Sequence, residues 1–154
     1  MSKKKYVLVG TGGRCAMYID GLIRDFKDYG ELVALCDTNQ TRMNYWKNYI
    51  KNNGGPDNIK TYKAADFDKM IEVEKPQRVI VTTMDRTHHK YICRAIELGC
   101  DVISEKPMTV DAEKCQQIID TKNKTGQDLV VTFNYRYSPR NTKVKEIIKS
   151  GMVG

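Results

Sequence analysis

Close-set glycines near the start, an aspartate after the next apolar run and an acid–base pair far down the chain are the residues best suited to chemistry. Tyr6-Val-Leu-Val9 runs into Gly10, Gly12 and Gly13, and an amphipathic helix pattern begins at once behind them. Gly10 suits a turn off a strand, and Gly12 lacks the Cβ that would keep a diphosphate from the backbone. The helix behind would aim unpaired N–H groups and the positive end of its dipole at that diphosphate. The G-x-G-x-x-G pattern asks for a third glycine at position 15, where the small Cys15 stands instead. Asp37 closes Leu32-Val-Ala-Leu-Cys36, at a place where a carboxylate accepts hydrogen bonds from the hydroxyls of an adenosine ribose. Its separation from the glycines exceeds the usual ~20 residues, a surplus that the loop around Asp28-Tyr-Gly30 would absorb. A dinucleotide is the expected guest. The carboxylate would repel a 2′-phosphate and so favours NAD, while Arg42 keeps NADP open.

Such a cradle needs a scaffold, and the alternation of short apolar runs with longer amphipathic ones supplies it. Strands are expected at about 5–10, 31–36, 59–62, 78–82, 101–104 and 129–132. Val7-Leu-Val9, Val79-Ile-Val81 and Leu129-Val-Val131 are continuously apolar and rich in β-branched residues, as strands covered on both faces should be. Between them Ala16, Ile19, Leu22, Ile23 and Phe26 recur at helical spacing, as do Met43, Trp46, Tyr49 and Ile50, and each reads as core. Further helices are expected near 65–73, 87–98, 110–124 and 139–150, the last with Ser138 as N-cap and Pro139 at its first position. The pattern is α/β, a doubly wound parallel sheet in a single domain.

Bulk properties narrow the classes. The 154 residues suffice for one domain with a sizeable core. The net charge of +7 is spread along the chain, with Lys3-Lys4-Lys5 its one run, so it reads as solvated surface and not as a nucleic-acid interface. The five cysteines have no metal-ligand spacing and read as buried free thiols in a reducing compartment; no metal is expected. The basic start is followed by too short an apolar run for a signal core or a membrane span, which leaves the cytoplasm as the expected location.

In a doubly wound sheet the ligand lies across the carboxyl ends of the strands. Thr82 and Thr83 end the fourth strand with hydroxyls for a diphosphate or ribose, and His88 follows near a helix N-terminus facing the cleft. Glu105-Lys106-Pro107 ends the fifth. The same tripeptide at Glu74-Lys75-Pro76 precedes a strand, on the other side of the sheet, where it reads as a solvated helix end and a proline break. Location separates the two copies. Lys106 would orient a substrate hydroxyl and, if desolvated, move its proton, and Glu105 would hold the nicotinamide ribose.

Taken together, the glycine stretch, Asp37, the segment Thr82-Thr-Met-Asp-Arg-Thr-His88, Glu105-Lys106-Pro107 and Asn134-Tyr-Arg136-Tyr-Ser-Pro139 resemble the N-terminal domain of the glucose–fructose oxidoreductase/inositol dehydrogenase/MocA family. The resemblance covers essentially residues 1–154 and implies an NAD(P)-binding Rossmann fold in a dehydrogenase of sugars, cyclitols or related compounds. By position it implies that Gly10, Gly12, Gly13 and Arg14 hold the diphosphate, and Asp37 and Arg42 the adenosine end. Thr82, Thr83 and His88 would serve the middle of the cofactor, Glu105 and Lys106 the nicotinamide side, and Asn134 the region near nicotinamide and substrate. Met84 replaces a proline common in the family. The family's second, α+β domain begins just after a segment like Ser150-Gly-Met-Val-Gly154, and with it would come most of the substrate pocket, the dimer surface and a partner for the lysine. The residues in hand would then bind cofactor without turnover. An NAD-dependent glycosidase of the same fold and a non-catalytic dinucleotide-sensing module are the alternatives.

Overall fold

The computed structural model describes residues 3–153, so Met1 and Ser2 at the basic start and Gly154 at the end of the expected link lie outside the described residues. Six strands, β1 (Lys4–Val9), β2 (Gly30–Asp37), β3 (Lys60–Lys63), β4 (Arg78–Val81), β5 (Asp101–Glu105) and β6 (Leu129–Thr132), form one parallel sheet in the order β3-β2-β1-β4-β5-β6. The chain winds outward from β1 to β3, then returns to lay β4 on the other side of β1. The strand order therefore reverses between β1 and β4, and the crevice of such a sheet opens above their carboxyl ends.

Each strand sends alternate residues to opposite faces, and both faces of the central strands are covered. Val7, Val9, Ala34, Cys36, Val79, Val81 and Val102 pack under α3 (Phe67–Glu74), α4 (His88–Glu97) and α5 (Ala112–Thr125), which contribute Met70, Ile92, Ile96 and Ile118. Leu8, Leu35 and Ile80 meet α1 (Ala16–Asp20) and α2 (Gln40–Asn52) through Ile19, Met43, Trp46 and Ile50. Burial from both sides is why β1 and β4 read as unbroken apolar runs, whereas β6, expected from Leu129-Val-Val131 to be covered on both faces, lies at the sheet's edge with Val130 55% exposed. Asn39 and Asp111 cap α2 and α5, each accepting a backbone N–H through its side chain. The final helix, α6 (Pro139–Lys149), buries no residue of its own.

Four further expectations need correction. Phe26 is 59% exposed and not part of the core. After α1 the helix widens into a π-turn, Gly21–Asp25, in which the Phe26 N–H donates to the Gly21 carbonyl at 2.8 Å; the shifted register turns Phe26 outward over Gly21. That turn also takes up part of the surplus length before Asp37 that had been given to residues 28–30. Ser138 does not cap α6 with its side chain, although Pro139 does open it. Among the cysteines only Cys15, Cys36 and Cys100 are buried; Cys93 and Cys115 are half-buried on helix surfaces. Lys75 of the first Glu-Lys-Pro ends α3 in the left-handed conformation at the amino edge of β4, as its position before a strand implied.

Candidate functional site

The turn after β1 is built around Gly10, whose φ is +96°. A Cβ there would lie 2.5 Å from the Thr83 nitrogen and 2.6 Å from the Thr82 carbonyl carbon, so only glycine lets the turn pack against the segment leaving β4. Gly12 and Gly13 have the opposite surroundings, with nothing within 4 Å of where their Cβ atoms would be. Their backbone faces open space at the start of the helical segment, as a diphosphate cradle requires. Cys15 fits the third-glycine position by burying its thiol, which donates to the Gly12 carbonyl at 2.9 Å. Burial pushes that thiol up to about 12, so it stays protonated and inert.

Asp37 ends β2 beside this turn. Its Oδ2 accepts the Thr11 N–H at 2.5 Å and the Thr11 hydroxyl at 2.8 Å, and its Oδ1 accepts the Asn39 N–H at 2.9 Å. Partial burial works against the charged form, but the hydrogen bonds from Thr11, Asn39 and Thr38 outweigh it and hold the carboxyl below its usual range. A cavity of about 370 Å³ opens here, lined by Gly10, Gly12, Gly13, Arg14, Asp37, Arg42, Thr82 and Thr83 among others. Eight of the expected cofactor residues thus share one wall. Arg42 is exposed at its rim.

The segment leaving β4 serves the architecture more than expected. The Thr82 hydroxyl donates to the Gly10 carbonyl at 2.6 Å, which ties the two crevice turns together. Thr83 receives the Thr87 hydroxyl at 2.9 Å. His88 is only 1% exposed and does not line the cavity: its Nδ1 lies 2.8 Å from the Pro107 carbonyl and its Nε2 lies 3.0 Å from that of Thr83. It fastens the segment after β4 to the one after β5, where a cofactor contact had been expected.

Glu105 is likewise committed. Its carboxylate is buried, and Oε1 accepts the Tyr18 hydroxyl at 2.8 Å and the Thr132 hydroxyl at 3.2 Å while pairing with the Arg14 Nε at 3.0 Å. Desolvation opposes its charge, yet Arg14 and Tyr18 prevail and keep it below the ordinary carboxylate range. Tyr18 pays the converse shift, with burial first and the acceptor Glu105 after it raising its hydroxyl to about 12. Tyr18 and Thr11 are the residues that sequence reasoning passed over. Tyr18 sits on the helix behind the glycines, where spacing marks it only as a flank of the core stripe.

Lys106 extends from this cluster into a second cavity of about 360 Å³, which it shares with Arg14, Phe133, Asn134 and Tyr135. Lys106 is exposed, so the burial that would fit it to move a proton is not supplied by the described residues. No ion pair holds its ammonium among the described residues. Arg14 borders both cavities, which therefore lie side by side along the carboxyl ends of the strands.

A reversed strand order, a glycine turn open to that crevice and an acidic residue ending β2 define a dinucleotide-binding domain. The family model described as the oxidoreductase family with an NAD-binding Rossmann fold matches residues 4–133, and the chain belongs to that family, Gfo/Idh/MocA. It is 32% identical over 152 residues to the protein YteT of Bacillus subtilis, covering 98% of this chain and 35% of the relative. It is 33% identical over 155 residues to inositol 2-dehydrogenase of Azotobacter vinelandii, covering 96% and 41%. The crystal structure of scyllo-inositol dehydrogenase from Lactobacillus casei with bound NAD(H) and scyllo-inositol superposes with a TM-score of 0.79 at 19% identity, over 99% of this chain and 43% of that one. The chain therefore spans about two fifths or less of the relatives it matches. No helix among the described residues is long and apolar enough to cross a membrane.

Proposed function

We propose that residues 1–154 are the NAD-binding domain of an oxidoreductase that moves hydride between a nicotinamide and a sugar, cyclitol or related hydroxy compound. The observation that carries this reading is the pair of cavities that meet at Arg14, one lined by Asp37 and the bare backbone of Gly12 and Gly13, the other by Lys106 and Asn134. Bound there, the nicotinamide would supply the hydride acceptor or donor. The chain's own residues do the rest. Main-chain amides at Gly12 and Gly13 receive the diphosphate, and Asp37 holds the adenosine ribose and repels a 2′-phosphate, which favours NAD over NADP. Arg42 at the rim is the residue through which NADP would bind. Glu105, fixed by Arg14 and Tyr18, sets the backbone from which Lys106 leaves. Lys106 Nζ orients the substrate hydroxyl and, as the neutral amine, takes its proton as the alcohol is oxidised, becoming the ammonium. Asn134 lines the substrate side.

Water exclusion and burial of Lys106 fall to a second domain, which the matched relatives have length enough to hold. Dimerisation belongs to that domain. The domain alone would bind NAD without turnover. Calorimetric titration of the chain with NAD and NADP tests the cofactor half of the proposal, and no binding of either would overturn it. In the full-length protein, Lys106→Ala should cut kcat by about 10²–10⁴ while the Kd for NAD changes little; unaltered turnover would remove Lys106 from the chemistry. Stoichiometric NADH formation separates this reading from a glycosidase that recycles its cofactor.

A further inference from the structure

Resting on the cofactor reading above, we infer that Thr11 is a specificity-determining residue that fills one oxygen of Asp37 and leaves a single acceptor position for an adenosine-ribose hydroxyl. A carboxylate offers about four lone-pair positions. At Asp37 the Thr11 N–H and the Thr11 hydroxyl take both positions on Oδ2, and the Asn39 N–H takes one on Oδ1. The fourth is held by the hydroxyl of Thr38, an exposed side chain at the longer distance of 3.3 Å, free to turn to water. Only that position yields to a ligand.

Thr11 cannot step aside. It is 1% exposed, and its carbonyl accepts the indole N–H of Trp46 at 3.1 Å. Trp46 is itself buried and set edge-on against the rings of Tyr45 and Tyr49. The three polar groups of Thr11 are thus engaged, two by Asp37 and one by Trp46, so the Oδ2 side is closed by a residue anchored from behind. A ribose presents two neighbouring hydroxyls, of which Asp37 takes one through Oδ1 and the other is left to water. An alanine at position 11 would keep the backbone N–H bond and open the second position on Oδ2.

The test titrates the chain with NAD and with two analogues lacking the adenosine 2′- or 3′-hydroxyl, following the fluorescence of Trp46, the chain's one tryptophan. One analogue should bind about tenfold or more weakly, the loss of a hydrogen bond to a charged group, and the other within about twofold of NAD. In Thr11→Ala both analogues should lose affinity relative to that variant's own NAD binding. Thr11→Ser should restore the one-hydroxyl pattern, which a merely structural effect on the loop would not do. Equal losses for both analogues in the unaltered chain, or the same pattern in Thr11→Ala as before, would overturn the inference and leave the cofactor reading intact. Failure of the chain to bind NAD at all would overturn both.

Discussion

Gly10 and Gly12 stand two residues apart in one turn, yet replacing each with alanine should fail in different ways. At Gly10 the new methyl would lie 2.5–2.7 Å from backbone atoms of Thr82 and Thr83, on a residue whose φ is +96°. Backbone cannot swing aside as a side chain does. The left-handed conformation costs a non-glycine residue about 1–3 kcal/mol, and forcing the two turns apart adds about 1–3 kcal/mol of overpacking strain. Together these come to about 2–6 kcal/mol, which for a domain of this size lowers the Tm by roughly 4–24 °C. At Gly12 the φ is −74°, ordinary for any residue, and no atom lies within 4 Å of the added carbon. Gly12→Ala should match or slightly exceed the parent in stability, since it restricts the unfolded chain by about 0.4–1 kcal/mol. Its methyl would instead occupy the space the diphosphate needs and weaken NAD binding by tenfold or more. Thermal denaturation and calorimetry on both variants decide the matter. The reasoning is refuted if Gly12→Ala melts as low as Gly10→Ala, or if it binds NAD as the parent does.

Two further outcomes follow from the Glu105 cluster. Tyr18→Phe removes one donor from a buried carboxylate and should cost about 1.5–3 kcal/mol, read by urea denaturation, with the loss smaller when Glu105 is already glutamine, whose amide oxygen still accepts but carries no charge. Asp37 and Glu105 both have carboxyls held below their unfolded range, so each contributes stability that is present above the unfolded value and lost as pH falls through the folded one. The melting temperature should fall below about pH 4, and Asp37→Asn with Glu105→Gln should flatten that part of the profile; an unchanged acid limb would show that other carboxylates govern it.

Much of the fold could be read from local pattern because the central strands are buried on both faces, so Val7-Leu-Val9 and Val79-Ile-Val81 had no reason to alternate. The site residues on strand ends were legible for a related reason: in a parallel sheet the carboxyl ends share one edge, so Gly10, Asp37, Thr82 and Lys106 are brought together by topology alone. What pattern could not give is how each polar atom is spent. Periodicity gives no sign that the Phe26 N–H skips one residue further back to Gly21, since a π-turn costs one hydrogen-bond register and leaves the composition untouched.

The same limit explains why His88 and Glu105, chosen for a ligand, turned inward, and why Thr82 lines the cavity while its hydroxyl is spent on a neighbouring turn. Thr82, His88 and Glu105 bond to Gly10, to Pro107 and Thr83, and to Tyr18 and Arg14. The Tyr18–Glu105 and Thr82–Gly10 pairs stand 87 and 72 residues apart, so no spacing rule reaches them. Each of these bonds fastens one crevice turn to the next: β1 to β4 through Thr82, β4 to β5 through His88, and the glycine turn to β5 through Arg14 and Tyr18. A crevice made of separate strand ends has to be held to within fractions of an ångström for a hydroxyl and a nicotinamide carbon to meet. A polar residue at a strand end can therefore serve the ligand by holding the neighbouring turn. On the proposed reading, the amides at Gly12 and Gly13, the Asp37 position that Thr38 holds loosely, and the Lys106 side chain are the groups that would touch what binds.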